Sequence, residues 1–385
     1  LKFTRRIGLL GLGAALAAMP GSLHADPAPP NEAEAPIALL VDLGSGQVLH
    51  RREDDRRFLP ASVTKVMSAY LAFEMLDDGR LKAGQTFTVS PLLAAKWSGT
   101  GSTLFLKAGD KVSVDTLIRG ITTVSANDGA VLLAEGAAGS VEKWVALMNQ
   151  TAARLGMDDS HFGTPNGWPD EGATFVSAHD LALLGKAMIT RHPQLYARYF
   201  GKSGFSYNGI AQSNHDPMVG IVRGADGIKT GYTREAGYNF LGSAARDGRR
   251  LLLVVAGTDS EEERARIARN YVEWGYAAFE PHKIFPADTT IGTALVQDGS
   301  TDSVPLQTAS PVIADLPSGE RPKIELSLHY RGPLVAPIAA GQNVAELEVR
   351  IEGMEPYRVP LQAATAVEKA NPWQRVVNAV LGWLS

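Results

Sequence analysis

The chain is 385 residues long, 45% hydrophobic and 20% charged, with 37 basic and 41 acidic residues and no cysteine. That is an ordinary globular balance, so disorder, collagen-like repeats and coiled coil are excluded as descriptions of the whole. A formal charge of −4 without a basic run argues against a nucleic-acid partner. The absence of cysteine removes disulfides, thiolate metal sites, Fe–S clusters and a cysteine nucleophile.

At the N-terminus, Lys2, Arg5 and Arg6 precede an apolar run over 7–18, then Pro20, Gly21 and Ala25. A basic start, a short apolar core and a small-residue exit predict a cleavable secretory signal peptide over 1–25. Residues 26–34 read as a proline-rich, acidic linker. Short apolar segments at 37–41 and 47–50 flank Gly44-Ser45-Gly46 and predict a hairpin. Helical periodicity follows over 61–76, 114–137, 141–155 and 179–190. Strands return at 227–233, 237–245 and 249–257, the last two joined by Asp247-Gly248, a hairpin turn signal. A helix over 260–279 closes the first domain, 35–279, expected as an α/β unit with a mostly antiparallel sheet and a helical cluster.

Composition shifts after that point. Between 282 and 362 there are nine prolines and no sustained helical period. Alternation at Ile324, Leu326, Leu328 and Tyr330, and at Leu347, Val349 and Ile351, predicts a small all-β domain over 280–365. At the end, Asn371 suits a helix cap and Pro372 a first helical position. Trp373, Val376, Val377, Val380, Leu381 and Leu384 then fall on one face. An amphipathic helix over 371–385, too short to span a bilayer, reads as membrane-associating; the bland alternative docks it on its own β domain.

Three short motifs carry chemistry: Ser62-Val63-Thr64-Lys65, Ser125-Ala126-Asn127 and Lys229-Thr230-Gly231. The first two patterns recur at Ser140–Lys143 and at Ser206-Tyr207-Asn208, so neither is specific alone. Context separates them. Ser62 opens an apolar helix with Lys65 one turn on along the same face. Ser140 opens a charged helix, where capping accounts for it. A serine hydroxyl needs a base within hydrogen-bond reach. Lysine is that base only when burial and a neighbouring positive charge keep it neutral, a charge that Lys229 would supply.

In this order the three motifs resemble the signature of penicillin-binding proteins and serine β-lactamases. The strings ASVTKVMSAY, VSANDGAVLLAE and DGIKTGYT are similar to the low-molecular-mass D-alanyl-D-alanine carboxypeptidases of the peptidase S11 family. The resemblance covers about 35–279 and implies a β-lactamase/transpeptidase-like fold with no cofactor or metal. It implies that Ser62 is acylated by peptidoglycan stem peptides or by β-lactams, and that Lys65 takes its proton. Ser125 and Lys229 would relay a proton to the leaving amine, and Asn127 would hold the substrate backbone. The N–H groups of Ser62 and Tyr232 would form an oxyanion hole beside Gly231. Thr230 and Arg264 would bind the terminal carboxylate, unless Arg264 is a surface residue among the acids of its helix. The enzyme would work in the periplasm, peripherally attached to the inner membrane, with the β domain as a spacer.

Rival readings are weaker. No E-x-x-L-N string provides a deacylating glutamate, so efficient β-lactam hydrolysis is not expected; the 163–172 loop reads as a flap beside the site. The eight histidines form no zinc-peptidase motif, and there is no G-x-S-x-G elbow. A β-lactamase or DD-endopeptidase on this scaffold, and an idle peptidoglycan-binding scaffold protein, stand as alternatives.

Overall fold

The computed structural model describes residues 2–7 and 35–371. It divides into two compact units: residues 35–43 with 49–276, and residues 2–7 and 44–48 with 277–371. The expected leader core and linker, and the amphipathic helix from residue 372 on, lie outside the described residues. Among those described, no helix is long and apolar enough to cross a membrane.

The first unit is built on a five-stranded sheet. Its order is Val48–Arg52, Ile37–Asp42, Arg249–Thr258, Gly237–Arg246, Ala225–Thr233, with the last three pairings antiparallel. The runs IALLVD and LLLVVA are apolar without alternation because helices cover both faces. Side chains alternate along a strand. Leu252 meets Gly185 of the helix Ala178–Arg191, while Leu251 and Leu40 meet Gly275 of the helix Glu261–Ala277. In both places a β-carbon on the glycine would press on leucine, so its absence lets helix and sheet approach.

The helix Lys65–Asp77 is buried nearly all round, as a helix apolar on every face must be. Each large apolar side chain there contributes about 1.5–3 kcal/mol. Helices Val114–Val124, Asn127–Ala138 and Val141–Leu155 pack near it. The periodicity over 114–137 predicts one uninterrupted helical stretch, but the chain breaks it at Ser125, which adopts a left-handed conformation with φ 63°. The helices Pro91–Trp97 and Pro193–Tyr199, each one or two turns with proline at its start, carry too little periodicity to be read from sequence. Ser140 caps the helix Val141–Leu155, its Oγ accepting from Lys143 N–H at 3.3 Å, so the second S-x-x-K is structural.

In the second unit a seven-stranded sheet runs Lys2–Ile7, Ile324–Arg331, Asn343–Ile351, Tyr357–Ala363, Ser303–Thr308, Thr290–Gln297, Leu334–Val335. Lys2–Ile7, inside the segment expected as a leader, lies antiparallel to Ile324–Arg331 at one edge, where backbone pairing to an open strand edge requires no particular side chains. Phe279–Phe285 and Val312–Pro317 form a separate pair. The alternation read from sequence is the burial pattern: Leu326, Leu328, Leu347, Val349 and Ile351 all enter one core. The turn Gly44–Val48 belongs to this unit, where Ser45 Oγ donates to Asp315 and Gln47 Nε2 donates to the Asp315 carbonyl at 3.0 Å.

Candidate active site

A cleft of about 580 Å³ is lined by Ser62, Ser125, Asn127, Thr230, Tyr232 and Arg264 together with Gly231. The three motifs, separated by up to 169 positions in the chain order of the sequence, thus meet at one opening. Lys65 and Lys229 are buried, 1% and 5% exposed.

Ser62 sits in a tight turn, Ala61–Thr64, that runs directly into the helix Lys65–Asp77. Ala61 holds a left-handed φ of 49°, a conformation costing about 1–2 kcal/mol outside glycine. This turn presents Ser62 to the cleft and places Lys65 Nζ 2.8 Å from Ser62 Oγ. Nζ also donates to the Asn166 carbonyl at 2.7 Å. Burial above all, then the charge of Lys229, holds Lys65 well below its ordinary value, against the pull of Asp128. A lysine so placed has a neutral fraction able to take a proton from the hydroxyl beside it.

The strand Ala225–Thr233 delivers the third motif. It runs so close to the Ser62 turn that a β-carbon on Gly231 would stand 2.3 Å from the Pro60 carbonyl oxygen. Only glycine fits there, which explains the K-T-G spelling. Lys229 Nζ donates to the Thr230 carbonyl at 2.9 Å. Burial and then the charge of Arg264 lower Lys229 to about 7, opposed by Asp216. Asn127 Nδ2 donates to the Thr100 carbonyl at 2.9 Å, fixing the amide against the neighbouring loop. Asp128 is buried and accepts backbone N–H groups from Leu104, Leu106 and Gly129, which holds that loop against the second motif.

Arg264 is buried, 3% exposed, in the cleft wall, so the surface-residue reading of it does not hold. Tyr232 is exposed at the rim and stacks on Tyr238 at 4.2 Å, and Tyr238 lies 5.7 Å from the Arg264 guanidinium. The 163–172 loop crosses the Ser62 turn. Gly167, at φ +73°, leaves no room for a β-carbon beside the Ala61 carbonyl, and Ser68 Oγ donates to the Pro165 carbonyl at 2.6 Å. Trp168 and His215 also line the cleft. Sequence reasoning missed the Asn166 carbonyl, His215 and Glu261. A backbone carbonyl has no residue-type signature, and the other two belong to no motif. Among the described residues no cluster of His, Asp or Glu is arranged to hold a metal ion. The arrangement suits acyl transfer: a nucleophile, a buried base, a second lysine and a cationic pocket at one opening.

Residues 24–260 match the family model for D-alanyl-D-alanine carboxypeptidase, and 279–369 that for the penicillin-binding protein 5 C-terminal domain. The chain is 34% identical over 355 residues to D-alanyl-D-alanine carboxypeptidase DacD of Escherichia coli, covering 91% of each. It is similar to the crystal structure of penicillin-binding protein 5 from Haemophilus influenzae, with a TM-score of 0.75, 29% identity, and coverage of 92% of this chain and 100% of that one. Penicillin-binding protein D2 of Listeria monocytogenes, solved in an ampicillin-bound form, matches 63% of this chain and 98% of its own, with TM-score 0.57 and 28% identity.

Proposed function

The chain belongs to the D-alanyl-D-alanine carboxypeptidase family, peptidase S11, and from that premise we propose how its cleft releases the terminal D-alanine of peptidoglycan stem peptides. It is a serine-type carboxypeptidase of the low-molecular-mass penicillin-binding class. The observation that carries the mechanism is the 2.8 Å contact between Lys65 Nζ and Ser62 Oγ, with the lysine buried.

Neutral Lys65 takes the Ser62 proton as Oγ attacks the carbonyl carbon of the penultimate D-alanine. The developing oxyanion is met by the Ser62 and Tyr232 N–H groups. The C–N bond breaks as the proton held by Lys65 passes by way of Ser125 and Lys229 to the leaving amine, which leaves Lys65 neutral again. Free D-alanine departs, leaving an ester on Ser62. Water then attacks that ester, returning the proton to serine and freeing the shortened peptide. Asn127 holds the peptide backbone, and Thr230 and Arg264 receive the terminal carboxylate. Penicillins, whose amide and carboxylate imitate this end, acylate Ser62 by the same attack.

Incubation with a peptide ending in D-Ala-D-Ala is expected to release one D-alanine per peptide; a folded protein that releases none overturns the reading. The carboxylate contact is tested by a substrate amidated at that end. Arg264→Ala is expected to cut the preference for acid over amide about 10- to 100-fold, the range for hydrogen bonds to a charged group. An unchanged preference would remove Arg264 from the carboxylate site.

We also propose that the enzyme acts in the periplasm, held at the inner membrane by residues 371–385. The support is the basic and apolar pattern at the start of the sequence and the amphipathic segment at its end, which carries Trp373 and Trp383. Arg375 is the one basic residue on the polar face, so binding is expected to resist salt and yield to detergent. Deleting 371–385 should free the protein from membranes with turnover of a small soluble peptide unchanged. Loss of that turnover would mean the segment is packed on the protein itself.

A further inference from the structure

Arg264 already holds a carboxylate. One terminal nitrogen of its guanidinium donates to Glu261 Oε1 at 2.9 Å, across the first turn of the helix Glu261–Ala277. The two partners differ in freedom: the Arg264 side chain is 4% exposed and that of Glu261 is 60% exposed. Arg264 Nε is buried without a hydrogen-bond partner. Both residues line the cleft that contains Ser62 and Thr230.

A buried guanidinium is stable only with a counter-charge, and in the free protein Glu261 supplies one. A peptide carboxylate entering the cleft offers the same chemical group to the same donors. We propose that Glu261 stands in for the substrate carboxylate on Arg264 and is displaced into solvent when a carboxylate-ended peptide binds. Glu261 thereby sets the enzyme's affinity for such peptides. The inference rests on the reading of Arg264 as the carboxylate-binding residue.

Energetically, binding exchanges one arginine–carboxylate pair for another. Glu261 already reaches water, so its release costs little, while Arg264 cannot follow it. The substrate therefore gains less than it would from an unpaired guanidinium. A neutral amide cannot drive the exchange. Asp216 acts electrostatically on Arg264, and the Tyr238 ring lies 5.7 Å from its guanidinium, so the cation is not abandoned when Glu261 leaves.

The test compares KM for an acid-ended D-Ala-D-Ala peptide with the inhibition constant of its amide. Four proteins are needed: wild type, Glu261→Gln, Arg264→Ala and the double variant. Glu261→Ala runs alongside, because glutamine retains an oxygen that accepts from Arg264. Glu261→Gln is expected to lower KM for the acid about two- to fivefold, Glu261→Ala by at least as much, and neither to move the amide. In the Arg264→Ala background, Glu261→Gln is expected to change nothing. An acid KM that stays flat in both Glu261 variants, or falls equally for acid and amide, overturns the proposal alone. If Arg264→Ala by itself leaves the acid-over-amide preference intact, the carboxylate reading falls and the proposal with it.

Discussion

Replacing Lys65 by methionine is expected to lower kcat/KM for D-alanine release by about 10³-fold or more. Adding Ser62→Ala to that variant should cost almost nothing further. The two side chains act as one unit: Lys65 Nζ lies 2.8 Å from Ser62 Oγ, and its other hydrogen bond goes to a backbone carbonyl, that of Asn166, which carries no proton to give. Methionine nearly preserves the volume of a side chain that is 1% exposed, so a cavity does not confuse the result. Arginine is not expected to rescue, because a guanidinium keeps its proton at every working pH. Penicillin should add its mass to the peptide containing Ser62 in wild type and not in Ser62→Ala, with both proteins equally folded by circular dichroism. Additive losses in the double variant, or label on Ser140, would overturn the assignment.

What the sequence made legible follows from how local each feature is. The S-x-x-K at Ser62 was separable from that at Ser140 because one precedes an apolar helix and the other a charged one. The structure gives the first a buried lysine and the second a capped turn. The β unit was readable because its strands alternate, as Leu347, Val349 and Ile351 do. The break at Ser125 was not. Apolar spacing continues across it with neither glycine nor proline as a marker, and the left-handed φ of 63° is a cost of about 1–2 kcal/mol that tertiary packing must offset. That break lets the second motif turn into the cleft. Arg264 shows the same limit. Its neighbours Glu261, Glu262 and Glu263 read as a solvated face, yet only the packing decides which side of the helix meets the sheet. The Asn166 carbonyl on Lys65 comes from the crossing of two remote segments, which no local pattern encodes.

The second large effect concerns Lys229 and the pH dependence of the reaction. Burial and the charge of Arg264 lower Lys229 to about 7 from an ordinary value of 10.5. The sign for stability follows from linkage. Between pH 7 and 10.5 the unfolded chain holds a proton on this lysine and the folded chain does not, so stability rises with pH across that window. It falls as pH drops toward 7, and below that this group adds no further change. Lys229→Gln should therefore flatten the rise in Tm between pH 7 and 9. For catalysis the same charge acts on its neighbour, because Lys229 lowers Lys65. Removing it lets Lys65 hold its proton more tightly. The acid limb of the pH–rate profile, which marks the loss of the neutral base, should then move to higher pH in Lys229→Gln, alongside a fall in rate of about 10²- to 10⁴-fold. The rate of acylation by penicillin, followed across pH, reads both changes without needing peptide turnover. An acid limb that stays where it is in Lys229→Gln would mean that burial alone holds Lys65 neutral, and that the third motif serves binding rather than the charge state of the base.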